Sequence, residues 1–322
     1  MHIIDKYFFP GFVRKAVTFT IDDGNIEMDK KFLSIVRPSG ILGTFNLSDT
    51  DKLTPEEYRE MYQGYEIANH VDKHPELFIP GRKYIFSDDP FDPASADPNK
   101  LYRHESVDGL WYINNSYYSA NPTPEQLRRW FKITDVENYI RLINVAHERQ
   151  NAIFGEGNVR SFVWPFGKQV DSKKIIEHVK KLGYYGARDA GTPLAEFNMP
   201  SDRMNWRYNA NDSCLLTKMK EFEALPDDGS LKLFSFGVHS IDYDRAGRWG
   251  DLEFFAKAYG ARPDEFWYAT VGEIFDYEDA LKLLSVTDTE INNPSSLDLY
   301  ILLDGKKTVV KKQSSISLVQ NQ

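Results

Sequence analysis

Four short stretches of this chain hold residues whose types and spacing could do chemistry together. The first is Thr18-Phe-Thr-Ile-Asp-Asp-Gly24, a run of β-formers ending on the adjacent carboxylates Asp22 and Asp23. Asp-Asp-Gly is ordinary turn chemistry, but the C-terminal end of a barrel strand is also where parallel barrels present their working side chains. The second, His70-Val-Asp-Lys-His74, spaces two imidazoles at i, i+4. One helical turn would set them on one face, within reach of a single metal ion. Two histidines and a carboxylate make a three-ligand set that leaves a coordination position for water. The third, Ser161-Phe-Val-Trp-Pro-Phe-Gly167, ends a strand on aromatics that could line a pocket and on a backbone N–H that could face an oxyanion. In the fourth, Gly237-Val-His239-Ser, His239 follows an apolar strand, where it could equally be a satisfied core residue.

The elements that must hold these residues alternate along the chain. Strand-like runs are expected at 16–21, 43–47, 65–69, 161–164, 184–187, 231–238 and 266–269. Helical patterns are expected at 28–36, 54–63, 135–154, 172–182, 212–225, 252–259 and 273–284. Seven βα units imply a mainly parallel sheet with helical crossovers, bent into an incomplete barrel over 1–284. Two segments break the alternation. Residues 79–131 are too long for a plain loop and too rich in Pro, Asp, Asn and aromatics for one helix, so they read as an insertion over the barrel mouth, with 111–118 as a candidate lid. Residues 285–322 hold two strand-like runs around Asp304-Gly305, a hairpin signal, and read as a small β appendage with a tail.

Bulk composition narrows the function classes. The 322 residues are 41% hydrophobic and carry a formal net charge of −9, with one cysteine, Cys214. The acidic balance argues against nucleic acid or an anionic membrane as main partner. A single cysteine cannot form an intrachain bridge. No stretch approaches the roughly 20 apolar residues of a membrane span. A cytoplasmic location is the default expectation, a secreted mature form being compatible with it, and a homo-oligomer is left open.

With these motifs in order, the chain resembles the polysaccharide deacetylases, the NodB-homology carbohydrate esterases, whose fold is a distorted (β/α)7 barrel. Their Thr-Phe-Asp-Asp motif is similar to Thr20-Ile21-Asp22-Asp23, which implies Asp22 as general base and Asp23 as metal ligand. Their His-Ser/Thr-x-x-His motif is similar to His70–His74 and implies these two as the remaining ligands, with Val71 in place of the hydroxyl residue that supports the loop. Their Arg-x-Pro-Phe/Tyr motif falls on Val163-Trp164-Pro165-Phe166, so the Arg that orients the base is missing there. Their Asp-x-x-Asp-Trp motif is similar to Asp202-Arg203-Met204-Asn205-Trp206, with Asn for the second Asp. Their Leu-x-His strand end is similar to Gly237-Val238-His239 and implies His239 as general acid, supported by Asp202, Asn205 or Asp242.

The resemblance covers residues 10–284. It implies a hydrolase that removes acetyl groups from an acetylated carbohydrate, N-deacetylation being favoured. The implied cofactor is a divalent metal ion, Zn²⁺ first and Co²⁺, Ni²⁺ or Mn²⁺ after it. Trp164, Pro165, Phe166 and Trp206 are the expected sugar-contacting wall. The alternatives are a hydrolase of cyclic amides on the same barrel and a sugar-binding relative that has lost turnover, for which the altered third and fourth motifs are the argument.

Overall fold

The computed structural model describes residues 2–77, 85–87, 100–106, 109–114, 131–167 and 173–319. Seven parallel strands form its central sheet: β1 (Lys15–Asp22), β2 (Gly43–Leu47), β3 (Glu66–Asn69), β4 (Ser161–Val163), β5 (Gly186–Arg188), β6 (Lys232–His239) and β7 (Trp267–Tyr268). The spatial order is β5-β4-β3-β2-β1-β6. The short β7 pairs with the first half of β1, while β2 pairs with its second half. β1 is buried almost along its whole length, as expected of a strand covered on both faces, and its Val17, Thr18, Thr20 and Ile21 are β-branched residues suited to that place.

Eight α-helices accompany these strands among the described residues: α1 (Ile26–Val36), α2 (Pro55–Met61), α3 (Val136–Phe154), α4 (Lys173–Lys181), α5 (Leu215–Glu223), α6 (Ser240–Arg245), α7 (Trp249–Tyr259) and α8 (Val271–Leu283). Side chains that read as start signals do cap them. Thr54 with Glu57, and Thr270 with Glu273, form reciprocal capping boxes at α2 and α8. Asn25 and Asp135 accept the N-terminal N–H groups of α1 and α3. None of these helices is long and apolar enough to cross a membrane.

The sheet curls without closing by its own strands. Residues 206–210 span the gap between the outer strands: Asp189 N donates to Trp206 O at 2.8 Å on the β5 side, and Gly237 N donates to Ala210 O at 2.8 Å on the β6 side. This is the expected mixed α/β incomplete barrel. A core of large aromatics, including Phe19, Phe32, Phe45, Phe162, Trp164 and Phe236, fills the space between sheet and helices.

The region expected as an insertion contributes strands Ile85–Ser87, Lys100–Ser106 and Gly109–Asn114 to a five-stranded sheet whose other members are Glu76–Leu77 and Phe131–Thr134. The side chains of these insertion strands and residues 115–118 of the expected lid at 111–118 lie outside the described residues. After α8 the chain forms more than the expected hairpin. Leu299–Leu303 and Lys306–Val310 do pair around Asp304-Gly305, both at positive φ (49° and 75°). The N-terminal strand Ile4–Phe8, placed with the barrel by sequence, adds to this hairpin as a third strand. A second small sheet joins Ser285–Val286, Glu290–Asn293 and Ser314–Ser317. A separate apolar cluster, with Phe9, Ile274, Phe275, Tyr277, Leu299 and Ile301, packs these sheets against α8.

Candidate active site

Parallel register brings distant residues onto one rung of the sheet. His239 of β6 is the partner of Asp22 of β1, and Asp22 that of Asn46 of β2. Because side chains of paired residues in a parallel ladder project to the same face, one row at the C-terminal edge carries an imidazole, a carboxylate and an amide.

Asp23 turns out of this row at φ 76° and faces the histidines. Its Oδ1 lies 3.4 Å from His70 Nε2 and 3.3 Å from His74 Nε2, and its Oδ2 lies 3.6 Å from His239 Nε2. His70 is 1% exposed, and its Nδ1 lies 2.9 Å from the Val163 carbonyl. Carbonyls only accept, so that nitrogen carries the proton and Nε2 turns a lone pair toward Asp23. The His74 ring packs edge-on against His70 and Phe166 at centroid distances of 4.7 and 4.6 Å.

The electrostatics separate these groups into different states. Burial works to raise the Asp23 carboxyl, but the histidines around it, His70 first, hold it far below the ordinary carboxylate range. His74 is pushed down to about 4, chiefly by burial, so its imidazole is neutral at neutral pH. His239 goes the other way. Burial disfavours its cation, but the 2.8 Å bond from Nδ1 to Asp242 and the charges of Asp23 and Asp22 lift it to about 9.

The ligand set fits a metal ion. The donor atoms of Asp23, His70 and His74 all lie within 4.8 Å of one another. Asp23 Oδ1 and His70 Nε2 are buried without a hydrogen-bond partner among the described residues, a costly state for polar atoms that a cation between them would relieve. An ionised carboxylate and two imidazoles are the donor chemistry of a Zn²⁺-type site with an open position.

Asp22 has a partner that sequence reading missed. Arg188, 1% exposed at the end of β5, donates from a guanidinium NH₂ to Asp22 Oδ1, and Asn46 Nδ2 donates to the same oxygen at 2.6 Å. Burial raises the Asp22 carboxyl, but Arg188, followed by His70 and His239, overcomes it and leaves a net lowering. Val163, where the resembling motif has its Arg, is the register partner of Arg188. The guanidinium thus reaches the same carboxylate from the neighbouring strand. The available signal was a strand ending on Arg188-Asp189, directly after Ala187, where the expected strand stopped.

Other expectations need correction. Trp164 is 1% exposed and packs on Phe162 and Tyr139, and Pro165 is buried beside it. Trp206 is 5% exposed and packs edge-on against Phe275. None of the three offers a face for a sugar, because their rings complete the core. Phe166, half-buried at φ 58°, keeps a place at the site edge. Asp202 caps the short 3₁₀ turn Arg203–Asn205 by accepting from Met204 N at 3.0 Å, and both Asp202 and Asn205 are exposed. Among the three expected supports of His239, Asp242 is the one bonded to it. The aromatic that does approach the rung is Tyr208. Its ring lies 5.4 Å from the Arg188 guanidinium and against Gly237, where an added Cβ would meet Tyr208 Cδ1 at 2.7 Å.

Residues 11–187, more than half of the chain, match the family model described as polysaccharide deacetylase. No curated protein matches. Similar solved structures include a CE4 esterase from Streptococcus mutans (14% identity, 80% of this chain and 86% of that one, TM-score 0.44). A chitin deacetylase from Colletotrichum lindemuthianum (14%, 83% and 88%, TM-score 0.42) and a peptidoglycan deacetylase from Bacillus subtilis (14%, 84% and 95%, TM-score 0.41) are similar to the same degree.

Proposed function

The chain belongs to the polysaccharide deacetylase family, a family of hydrolases, and from that premise we propose that it removes acetyl groups from an acetylated sugar polymer, N-acetyl groups in preference. The observation that carries the reading is the pair of buried, unpartnered donor atoms, Asp23 Oδ1 and His70 Nε2, set beside a carboxylate held by Arg188 and Asn46. Asp23, His70 and His74 would hold a divalent metal ion. When bound, such an ion supplies Lewis acidity, lowering the pKa of water toward about 7 and polarising a carbonyl.

The chain's own residues account for the proton movements. Asp22 accepts the proton of the attacking water. Arg188 and Asn46 fix one carboxylate oxygen, which leaves the other to face the water. His239, held protonated by Asp242 at neutral pH, gives its proton to the leaving nitrogen or oxygen as the C–N or C–O bond breaks. A C–O bond forms to water and acetic acid leaves, ionising to acetate in solvent; Asp22 then gives up its proton and His239 regains one, so atoms and charge balance. The Phe166 N–H, in the turn closed by Gly167 N donating to Trp164 O at 3.1 Å, is the candidate donor to the developing oxyanion. Arg188 beside Asp22 favours turnover over a binding-only role, because a buried carboxylate tuned this way has no evident use in a passive groove.

The test is acetate release from N-acetylglucosamine oligomers and a panel of acetylated polysaccharides, before and after chelation and metal return. Release that depends on metal and vanishes in Asp22→Asn supports the reading. Undiminished release from a His70→Ala, His74→Ala double variant would overturn the ligand assignment.

A further inference from the structure

The loop that carries His70 and His74 is built from backbone conformations that L-residues avoid. Val71, Lys73 and His74 have φ of 58°, 64° and 46°, and a β-branched residue such as Val71 at positive φ is a rare outlier. Such conformations persist only where surrounding structure over-determines them. Val71 also stands where the resembling motif has a loop-supporting hydroxyl.

Support comes instead from one stripe of α3. Leu142 and Ile143, with Arg149 and Gln150 two turns later, lie on one face of that helix. Leu142 O accepts from Asp72 N at 3.4 Å, and Ile143 O accepts from Asn69 Nδ2 at 2.9 Å. Gln150 Nε2 donates to Leu47 O at 2.6 Å, and Arg149 donates to Asp72 Oδ1 at 2.8 Å. Asp72 lies midway between the two histidines and is 2% exposed. Asn69 Oδ1 then accepts from Val71 N at 2.9 Å, and Asp49 Oδ1 from Lys73 N at 3.2 Å. The left-handed turn is therefore gripped from both sides.

We propose that Arg149 and Asp72 are positioning residues for the metal site: the ion pair between the half-exposed Arg149 and the buried Asp72 clamps the His70–His74 loop to α3 and preorganises both imidazoles. This rests on the reading that Asp23, His70 and His74 hold a metal ion. A pair of this kind is weak as a source of net stability but strong as a device for orientation, because removing Arg149 leaves the buried Asp72 carboxylate without its charged partner.

The experiment uses the full chain stripped with chelator. Zn²⁺ affinity is measured by calorimetry and the visible spectrum of the Co²⁺ form is recorded, for wild type, Arg149→Ala and Arg149→Lys. Wild type is expected to take up one equivalent, and Arg149→Ala to bind about 10-fold or more weakly, the usual size of an outer-sphere effect, with an altered Co²⁺ spectrum. Arg149→Lys, which keeps the charge, is expected to recover most of the affinity. Unchanged Zn²⁺ affinity and Co²⁺ spectrum in folded Arg149→Ala would overturn the clamp and leave the metal site standing. No gain of Lys over Ala would count against the ion pair as cause. No uptake by wild type would overturn the metal reading itself. Should Arg149→Ala fail to fold, Asp72→Asn removes the charge at constant size and gives the same comparison.

Discussion

Removing the Arg188 guanidinium tests the tuning of Asp22 most directly. In Arg188→Met the Asp22 carboxylate stays buried, with side-chain exposure of 10%, and keeps Asn46 as its one charge-orienting donor among the described contacts. Breaking a buried pair on one side costs about 3–5 kcal/mol, since the remaining charge is uncompensated. The sign of its pH dependence follows from Asp22. Its folded-state pKa is lowered, so the pair's stabilisation is present above the unfolded carboxylate pKa and is lost as pH falls through the folded value. The stability gap between wild type and variant in urea titrations is therefore widest near neutrality and narrows in acid, where the variant's Asp22 is protonated.

Catalysis should change in the same direction. Without Arg188 the largest influence that lowers Asp22 against its burial is gone and its pKa rises, so the acid limb of kcat/KM for deacetylation moves to higher pH. Loss of orientation lowers the plateau by about 10²-fold, the scale of a misplacement near 1 Å. The double variant Arg188→Met, Val163→Arg returns a guanidinium from the register-paired position on β4 and is expected to regain at least a tenth of the lost rate. An acid limb and plateau in Arg188→Met equal to those of wild type, at equal metal content, would refute the assignment of Arg188 to the base.

Three further outcomes are expected. Asp242→Asn removes the carboxylate charge that helps lift His239 to about 9, so the alkaline limb of kcat/KM, where His239 loses its proton, shifts to lower pH. Asp29 is buried in α1 with Tyr62 and Ser240 donating to it, and burial raises it to about 7. A carboxyl raised on folding loses stability for the protein as pH climbs from the unfolded pKa through that value, so Asp29→Asn should raise Tm at pH 8 and change it little at pH 4. Gly237→Ala would force a Cβ to 2.7 Å from Tyr208 and 2.9 Å from Thr20, a steric conflict of about 1–3 kcal/mol, seen as a lower urea midpoint; an unchanged midpoint would mean the ring moves freely.

Sequence alone determined the features that depend on local pattern. Alternating strand and helix periods prescribe the curled parallel sheet, and strand ends prescribe which residues reach its mouth. That is why Asp22, Asp23, His70, His74 and His239, each at or just beyond an apolar strand, could be named beforehand and are brought together. Asp242 was one of three offered partners of His239, and its position one turn later on α6 explains why it reaches.

What tertiary structure decided is which way side chains face and what meets across strands. A tryptophan in a motif reads the same whether its ring lines a groove or completes a core, and packing against Phe162 and Phe275 put Trp164 and Trp206 inside. The guanidinium beside Asp22 arrives from the fifth strand instead of the fourth, since register, invisible in sequence, makes Val163 and Arg188 neighbours. Likewise, the grip of α3 on the histidine loop joins residues far apart in the chain. Local periodicity encodes elements, whereas contacts between elements arise only when the whole sheet curls around them.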